Sequence, residues 1–394
     1  MAGVLDGVTV LEMSRFIAGP YAGSVLASLG ANVIKLEAPG GDPVRHEGAD
    51  KGGVAMPFEI LNHNKKGIVV NLKEAQGREV VYRLIKDVDV VLENSRPGTM
   101  ERLGVSYDVM KNIKKDLVYC SISGYGQSGP ESGLGGFDIV AQATGGLMWA
   151  TGYEGNEPVK MSTPIADFGA GMWAVVGILG ALRAREQTGV GQFIDCALLD
   201  VPLGWSLWEM SRLVAFNEEP TPQGSAHRNA APYRAFRCKD NKYLALGAAS
   251  AKYWGKLCTT MGVAEIMDDA RFKTRQDRIN NRKALGAALE PIFESQDRKH
   301  WIEKLREATI PCGPVNNYSE ALKEPQVIER QMVKNIAYPG VGELPIIDVP
   351  LYLSATPRAE IVRAPRLGEH TNEILRNAGL GTAEISKLEK DGIV

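Results

Sequence analysis

Val8-Thr9-Val10-Leu11, the turn Ile17-Ala18-Gly19-Pro20, a helical pattern from Tyr21 to Leu29 closed by Gly30, and Val33-Ile34-Lys35-Leu36-Glu37 form the stretch that decides the fold. Two β-branched runs flank a helical segment with Pro20 at its start and Gly30 just past its end, the usual asymmetry of helix boundaries. The pattern recurs as Ile68-Val69-Val70-Asn71-Leu72, a helix through Glu79 to Ile85, Val88-Asp89-Val90-Val91-Leu92, a short helix, and Leu117-Val118-Tyr119-Cys120-Ser121-Ile122. Repeated strand-helix-strand units predict an α/β fold with a mostly parallel, Rossmann-like sheet.

Further along, Thr188-Gly189-Val190-Gly191 ends a long apolar helix, Phe193 to Leu198 reads as another strand, and a helix from Pro202 to Phe216 leads into the polar, proline-rich stretch from Asn217 to Gly224. These transitions predict a large domain over 1–203, a linker over 204–224, a smaller α+β domain over 225–324, and a linker with a C-terminal return to the large domain over 325–394. In the smaller domain a strand is expected from Lys242 to Gly247, with charged helices from Arg282 to Glu294 and from Lys299 to Ala308. Two short amphipathic helices follow in the tail.

The 394 residues, 44% hydrophobic with a formal net charge of -2, suffice for a sizeable core and leave no basic excess for nucleic acid. Five cysteines without a C-x-x-C, and no Cys/His cluster at ligand spacing, predict neither a disulfide framework nor a metal site; a reducing cytoplasm fits. The residues from Met1 to Asp6 lack the basic and apolar regions of a signal peptide. The uncharged run from Phe168 to Leu182 falls short of the roughly 20 residues of a membrane span and is interrupted by glycines, so a buried helix and no membrane partner are expected.

At the mouth of that helix stands Asp167, in Pro164-Ile165-Ala166-Asp167-Phe168-Gly169-Ala170-Gly171. A lone carboxylate among small residues can be desolvated and closely approached, as a carboxylate nucleophile requires. The competing reading is a helix cap. Its ordinary pKa would leave it ionised at neutral pH.

The loops narrow the chemistry. Glu37 ends the second strand, where an acid can meet a ribose hydroxyl, but the first turn has no G-x-G-x-x-G and Pro20 removes an N–H that would face pyrophosphate. No P-loop motif is present. Anion-binding candidates are Asn64-Lys65-Lys66, Lys73, Asn94-Ser95-Arg96-Pro97-Gly98 and Arg102, all near the C-terminal ends of predicted parallel strands. For Lys65 and Lys66 solvated surface is the competing reading, whereas the planar guanidinium of Arg96 suits a phosphate.

Read together, Ala18-Gly19-Pro20, Gly30 to Glu37, Asn64-Lys65-Lys66, Glu93 to Gly98, Ser123-Gly124-Tyr125-Gly126-Gln127-Ser128-Gly129-Pro130, Gly136-Phe137-Asp138, Ala166-Asp167, Thr188 to Gln192 and Leu367-Gly368-Glu369-His370-Thr371 carry a resemblance. In this order and spacing the chain resembles the class III coenzyme A transferases (CaiB/BaiF type), the formyl-CoA and carnitine-CoA transferase family, over essentially its whole length. The resemblance implies an interlocked homodimer of ring-shaped chains, coenzyme A as co-substrate, no tightly bound cofactor and no metal. It implies Asp167 as nucleophile, passing through an aspartyl mixed anhydride and an aspartyl-CoA thioester. The positions it implies for CoA contact are Ile17, Ala18, Val70, Asn71, Leu72, Lys73, Asn94, Ser95, Arg96, Arg102 and the segment from Leu134 to Phe137.

The same resemblance extends to 2-methylacyl-CoA racemases, whose pattern has a histidine where this chain has Phe137; a phenyl ring takes no proton. His46, His63, His300 and His370 are expected to be structural or exposed. His227, in Gly224-Ser225-Ala226-His227 ahead of Pro232-Tyr233-Arg234-Ala235-Phe236, is assigned to the acyl pocket. No run of consecutive glycines follows Gly224, which sets the chain apart from formyl-CoA transferases with a glycine-rich lid. The expected reaction transfers CoA from succinyl-CoA to a dicarboxylic or hydroxy acid. The alternatives are a racemase or epimerase, and a non-catalytic subunit of a heteromeric transferase with a paralogous partner.

Overall fold

Six of the apolar runs pair into one parallel sheet in the computed structural model, which describes residues 3–338 and 340–394. The strands are β1 (Thr9–Met13), β2 (Asn32–Glu37), β3 (Lys66–Val69), β4 (Val90–Glu93), β5 (Val118–Ser123) and β6 (Phe193–Ala197), in the spatial order β3-β2-β1-β4-β5-β6. At the centre, Leu11 of β1 lies opposite Ile34 on one side and Val91 on the other. Helices cover both faces, so the middle strands are buried on both sides, and continuous rather than alternating apolar runs are the result.

On one face lie α1 (Ala18–Ser28) and a long helix, whose Val25, Leu26, Ala170, Ala174 and Ile178 pack on Val10, Val90 and Val118. On the other, α2 (Ala75–Ile85) and the C-terminal helices Thr371–Asn377 and Thr382–Lys390 bring Val81, Leu84, Leu375 and Ile385 against Leu11, Ile68 and Val91. The C-terminal return also seals the edge strand, as open sheet edges require: Gly67 N–H donates to His370 Nδ1 (3.1 Å) and Val69 N–H to Thr371 Oγ1 (3.3 Å).

Three local expectations change. Helix α1 begins at Ala18 rather than Tyr21, which puts Pro20 inside the first turn, where its missing N–H forfeits no helical bond. The helix expected from Pro202 to Phe216 is broken at Ser206 into Asp200–Trp205 and Leu207–Phe216. The apolar run from Phe168 to Leu182 belongs to α3 (Ile165–Thr188), whose 24 residues are long and apolar enough to cross a membrane; half of its most apolar window is buried inside the protein.

Two compact units emerge, one made of the residues up to 148, 160–219 and 328–394, the other of 149–159 and 220–327. In the smaller unit the strands Tyr233–Arg237, Tyr243–Gly247 and Cys312–Pro314 form an antiparallel sheet with Tyr243–Gly247 in the middle. Leu244, Leu246, Trp254, Leu289, Phe293 and Trp301 build its core.

Beneath the first turn of the larger unit lies a buried ionic cluster. Lys35 Nζ meets Glu12 Oε1 (3.2 Å), Asp42 Oδ2 (3.0 Å) and the Ser14 carbonyl (3.1 Å). Lys65 Nζ meets Glu12 Oε2 (2.7 Å) and the carbonyls of Pro20 (2.8 Å) and Leu61 (3.0 Å). All four charged side chains are fully buried. Removing one partner of such a pair strands a buried charge and costs about 3–5 kcal/mol. Lys65→Met is therefore expected to lower the thermal midpoint sharply, and adding Glu12→Gln to recover part of the loss, read by circular dichroism melting.

Candidate active site

Asp167 is the third residue of α3, one turn inside a helix whose cap position is held by Pro164 with no side-chain cap bond. The capping function falls to another residue: Asp138 Oδ1 accepts the Ala166 N–H at 2.8 Å. Asp138 Oδ2 accepts from Gln142 Nε2 (2.6 Å), and Gln142 Oε1 accepts the Met161 N–H (2.9 Å), so one buried glutamine secures both the approach to α3 and the residue that caps it. Among the described residues the Asp167 carboxylate accepts no hydrogen bond. Burial first, and the nearby Asp138 carboxylate second, push it up to about 7, which corrects the expectation of an ordinary, fully ionised aspartate.

The glycines after Asp167 serve packing. A Cβ at position 169 would stand 2.3 Å from Val201 Cγ1, and one at 171 would stand 2.7 Å from the Ala18 carbonyl oxygen, so these residues let α3 touch its neighbours. The Tyr21 and Phe168 rings then meet edge to face at 4.8 Å. Ala18, at the start of α1, is thereby brought against the same helix that carries Asp167.

Strand order reverses between β1 and β4, which makes the crevice outside their C-terminal ends the switch point where open α/β sheets bind ligands. The turn after β1 holds Ile17 and Ala18, and the turn after β4 holds Asn94, Ser95 and Arg96. Asn94 ties them together, accepting from Arg15 N–H (2.8 Å) and donating to the Arg15 carbonyl (2.7 Å). The exposed Arg96 guanidinium lies on Gly135, where a Cβ would come within 2.4 Å of Nη2, so the segment from Leu134 to Phe137 joins the same rim. The Leu134 and Phe137 side chains are exposed.

Val70 to Lys73 lie farther along the sheet, beyond β2. They are fixed by Asn71 N–H on the Ile393 carbonyl (2.7 Å) and by Arg78, which donates to the Leu72 (3.2 Å) and Lys73 (3.0 Å) carbonyls. Arg102 approaches this group indirectly, because the Gly104 turn that follows it packs on the Arg78 stem. His227 belongs to the smaller unit, with its ring edge on Tyr233 at 5.3 Å.

Two anion candidates are withdrawn. Lys65 is entirely committed to Glu12 and to carbonyls, and Lys66 pairs with Glu373 at 2.6 Å. Glu37 is also occupied: Arg45 grips both its oxygens at 2.7 Å, which leaves no ribose partner. Glu93, quoted in a motif but given no role from the sequence, lies at the end of β4 in a cavity of about 300 Å³ with Arg96, Ser121 and Gln127. Burial pushes its carboxyl up to about 7 against the hydrogen bonds from Ser121 and Ser95 that favour the anion. Its place at a strand end between two polar turns was the available signal.

Comparison with known proteins agrees along the whole chain. The family model described as CoA-transferase family III matches residues 5–371. An acyl-CoA transferase of Fusarium pseudograminearum (strain CS3096) is 37% identical, covering 100% of this chain and 88% of that protein. The succinyl-CoA:glutarate CoA-transferase of Homo sapiens is 35% identical over 94% of this chain and 85% of that protein. Among solved structures, a CAIB/BAIF family protein from Brucella suis superimposes with a TM-score of 0.87 at 35% identity, covering 96% of this chain and 100% of that one.

An aspartate that keeps its proton up to about 7 when folded, but only to 3.8 when unfolded, makes the native state bind more protons across that window. Its favourable contribution is complete below the unfolded value and is lost as pH rises through about 7. The melting-temperature advantage of Asp167→Asn over the parent is accordingly expected to grow from pH 5 to pH 8. Asp138→Asn, which keeps a capping oxygen but removes the charge, should shift that growth to lower pH.

Proposed function

This chain belongs to CoA-transferase family III, and on that premise we propose that Asp167 carries coenzyme A from succinyl-CoA to a dicarboxylic or hydroxy acid. The protein is an enzyme of the CoA-transferase class, and succinyl-CoA-dependent transferases are among its relatives. The observation that carries the reading is Asp167 itself: a partly buried carboxylate at a helix mouth, without a hydrogen bond of its own, raised by burial and Asp138. Poorly solvated when ionised, such an oxygen is a better nucleophile than a hydrated one.

In the first step an Asp167 oxygen attacks the thioester carbonyl, the C–S bond breaks, and CoA thiolate leaves a mixed anhydride behind. The thiolate then attacks the aspartyl carbonyl, releasing the donor acid and forming an aspartyl-CoA thioester. The acceptor carboxylate attacks that carbonyl and expels the thiolate, which finally attacks the acceptor's acyl carbon and frees Asp167. Four acyl transfers conserve the thioester, so ATP is not needed. CoA is held along the switch-point rim by Ile17, Ala18, Asn94, Ser95 and Arg96, with Leu134 and Phe137 beside the thioester arm and Arg102 and Val70 to Lys73 toward the phosphates. Backbone and ring contacts suit the arm, guanidinium the phosphates.

We further propose that the enzyme is a homodimer. The helix Leu207–Phe216 has no buried residue and exposes Leu207, Val214 and Phe216 by 68%, 85% and 67%, while Trp173 and Val176 of α3 are half exposed. A second copy covering these side chains would remove their apolar surface from water.

Asp167→Ala is expected to lower CoA exchange between succinyl-CoA and any accepted acid by at least about 10³-fold, measured by mass spectrometry over a panel of acids. Borohydride should trap the parent's acyl-enzyme at Asp167, and retained exchange in the variant would overturn the mechanism. In heavy water without acceptor acid the parent should leave the α-carbon of an acyl-CoA unlabelled; deuterium there would mean a racemase.

A further inference from the structure

Strand β4 ends on Glu93, a buried acid immediately ahead of the turn Asn94-Ser95-Arg96-Pro97. Burying a carboxyl is costly, and an apolar side chain would fill the same space without that penalty. What the acid supplies is a set of acceptors. Its Oε2 takes the Ser95 N–H at 2.7 Å, and the hydroxyls of Ser95 and Ser121 donate to the same carboxyl. The neighbouring Glu101 opposes its ionisation, so these serine and main-chain donors are what hold the anion.

The bonds continue into the next strand. Ser121 of β5 lies opposite Glu93 in the sheet register, and its Oγ accepts from Gln127 Nε2 at 2.9 Å. A hydroxyl has a single proton, so with Gln127 donating to it Ser121 turns that proton toward Glu93. Gln127 also donates its main-chain N–H to Asp195 Oδ2 of β6 at 2.9 Å. One buried carboxyl thereby reaches two loops: the turn after β4, which carries Arg96, and the loop after β5, whose far end at Gly135 lies against the Arg96 guanidinium. That second loop is pinched at its base, since a Cβ on Gly124 would stand 2.6 Å from the Gly136 Cα, and one on Gly136 would stand 2.5 Å from the Gly124 Cα. Arg96 is thus set at its root through Glu93 and at its tip by the Gly135 backbone. A long side chain loses rotamer freedom when it binds, and fixing its root beforehand lowers that cost.

We propose that Glu93 is a positioning residue for coenzyme A: it joins the turn after β4 to the loop after β5 and so aims the Arg96 guanidinium at a phosphate of the ligand. Glu93 itself touches neither the ligand nor the reacting atoms. The assignment rests on the transferase reading, in which this rim holds CoA.

The test is titration calorimetry of coenzyme A into the full-length parent and Glu93→Gln, with transfer from succinyl-CoA measured on the same samples. The side-chain amide of the variant would present N–H groups to donors that need an acceptor. CoA affinity should fall about tenfold and the KM for succinyl-CoA rise by about as much, while kcat stays within about twofold. Glu93→Asp, whose carboxylate can still accept an N–H two residues on, should recover part of the affinity. Combined with Arg96→Ala, Glu93→Gln should weaken CoA by less than the product of the two separate losses, because both act through one guanidinium. Should Glu93→Gln melt at lower temperature than the parent, Ser121→Ala decides instead: it cuts the bridge to Gln127, leaves the acid in place and should raise the same KM with kcat retained. Undiminished CoA affinity in the folded variant, a fall in kcat with KM unmoved, fully multiplicative losses in the double variant, or failure of both Glu93→Gln and Ser121→Ala to fold each overturn the proposal. Glu93-dependent CoA binding in a protein that transfers no CoA keeps the positioning role and removes the Asp167 mechanism. An active transferase whose KM for succinyl-CoA ignores Glu93 removes the positioning role alone.

Discussion

The buried quartet of Glu12, Lys35, Asp42 and Lys65 is the constraint on which the larger unit turns. Each lysine holds acids with one set of protons and main-chain carbonyls with another: Ser14 through Lys35, Pro20 and Leu61 through Lys65. Asp42 adds an acceptor for the Phe16 N–H at 3.3 Å, and Phe16 sits at a φ of +64°, a conformation a bulky residue adopts only when held there. Ionic contacts thus pin the chain before, at and after the turn that carries Ile17 and Ala18. Gly23 completes the arrangement, because a Cβ there would lie 1.9 Å from Glu12 Oε2. Burial lowers the Lys65 ammonium to about 8 despite Glu12, whereas Lys35, with Glu12, Asp42 and Glu37 around it, is raised in spite of its burial. The cluster is better understood as a positioning device than as a source of net stability, since buried pairs seldom exceed the desolvation they incur.

From that fixed turn the geometry propagates by contact. Pro20 is held from below, Ala18 touches Gly171, and Tyr21 braces Phe168, the neighbour of Asp167. A nucleophilic carboxylate needs to be poorly solvated yet still ionisable near neutrality, and these demands conflict. Asp167, the proposed nucleophile, is partly buried, and the adjacent acid, Asp138, is engaged by a backbone N–H.

The parallel sheet was legible because its strands are buried on both faces and read as unbroken β-branched runs, and because each crossover helix has punctuation at its ends. The start of α1 was misplaced by three residues, since Pro20 marks a first turn and not its first position. Lys65 was legible as special but not as buried: position in a strand-end motif says that a lysine matters, while only the meeting of Glu12, Leu61 and Pro20 in space says why. Asp138 stood in a quoted motif, yet its bond to Ala166 spans 28 positions and has no local signature. The raised pKa of Asp167 was invisible for the same reason, being a property of surroundings rather than of spacing.

The two binding tasks that the proposed reaction sets, holding CoA and choosing an acid, call for different materials. A long thioester common to every reaction is best held by main chain and loop ends, which the switch-point rim offers through the Ile17–Ala18 and Asn94–Arg96 turns on a rigid sheet. An acid that distinguishes one transferase from another is best read by side chains, which can change without disturbing the sheet. Relatives sharing about a third of their residues with this chain carry different acids in their names, as a fold that hosts different specificities on one scaffold allows.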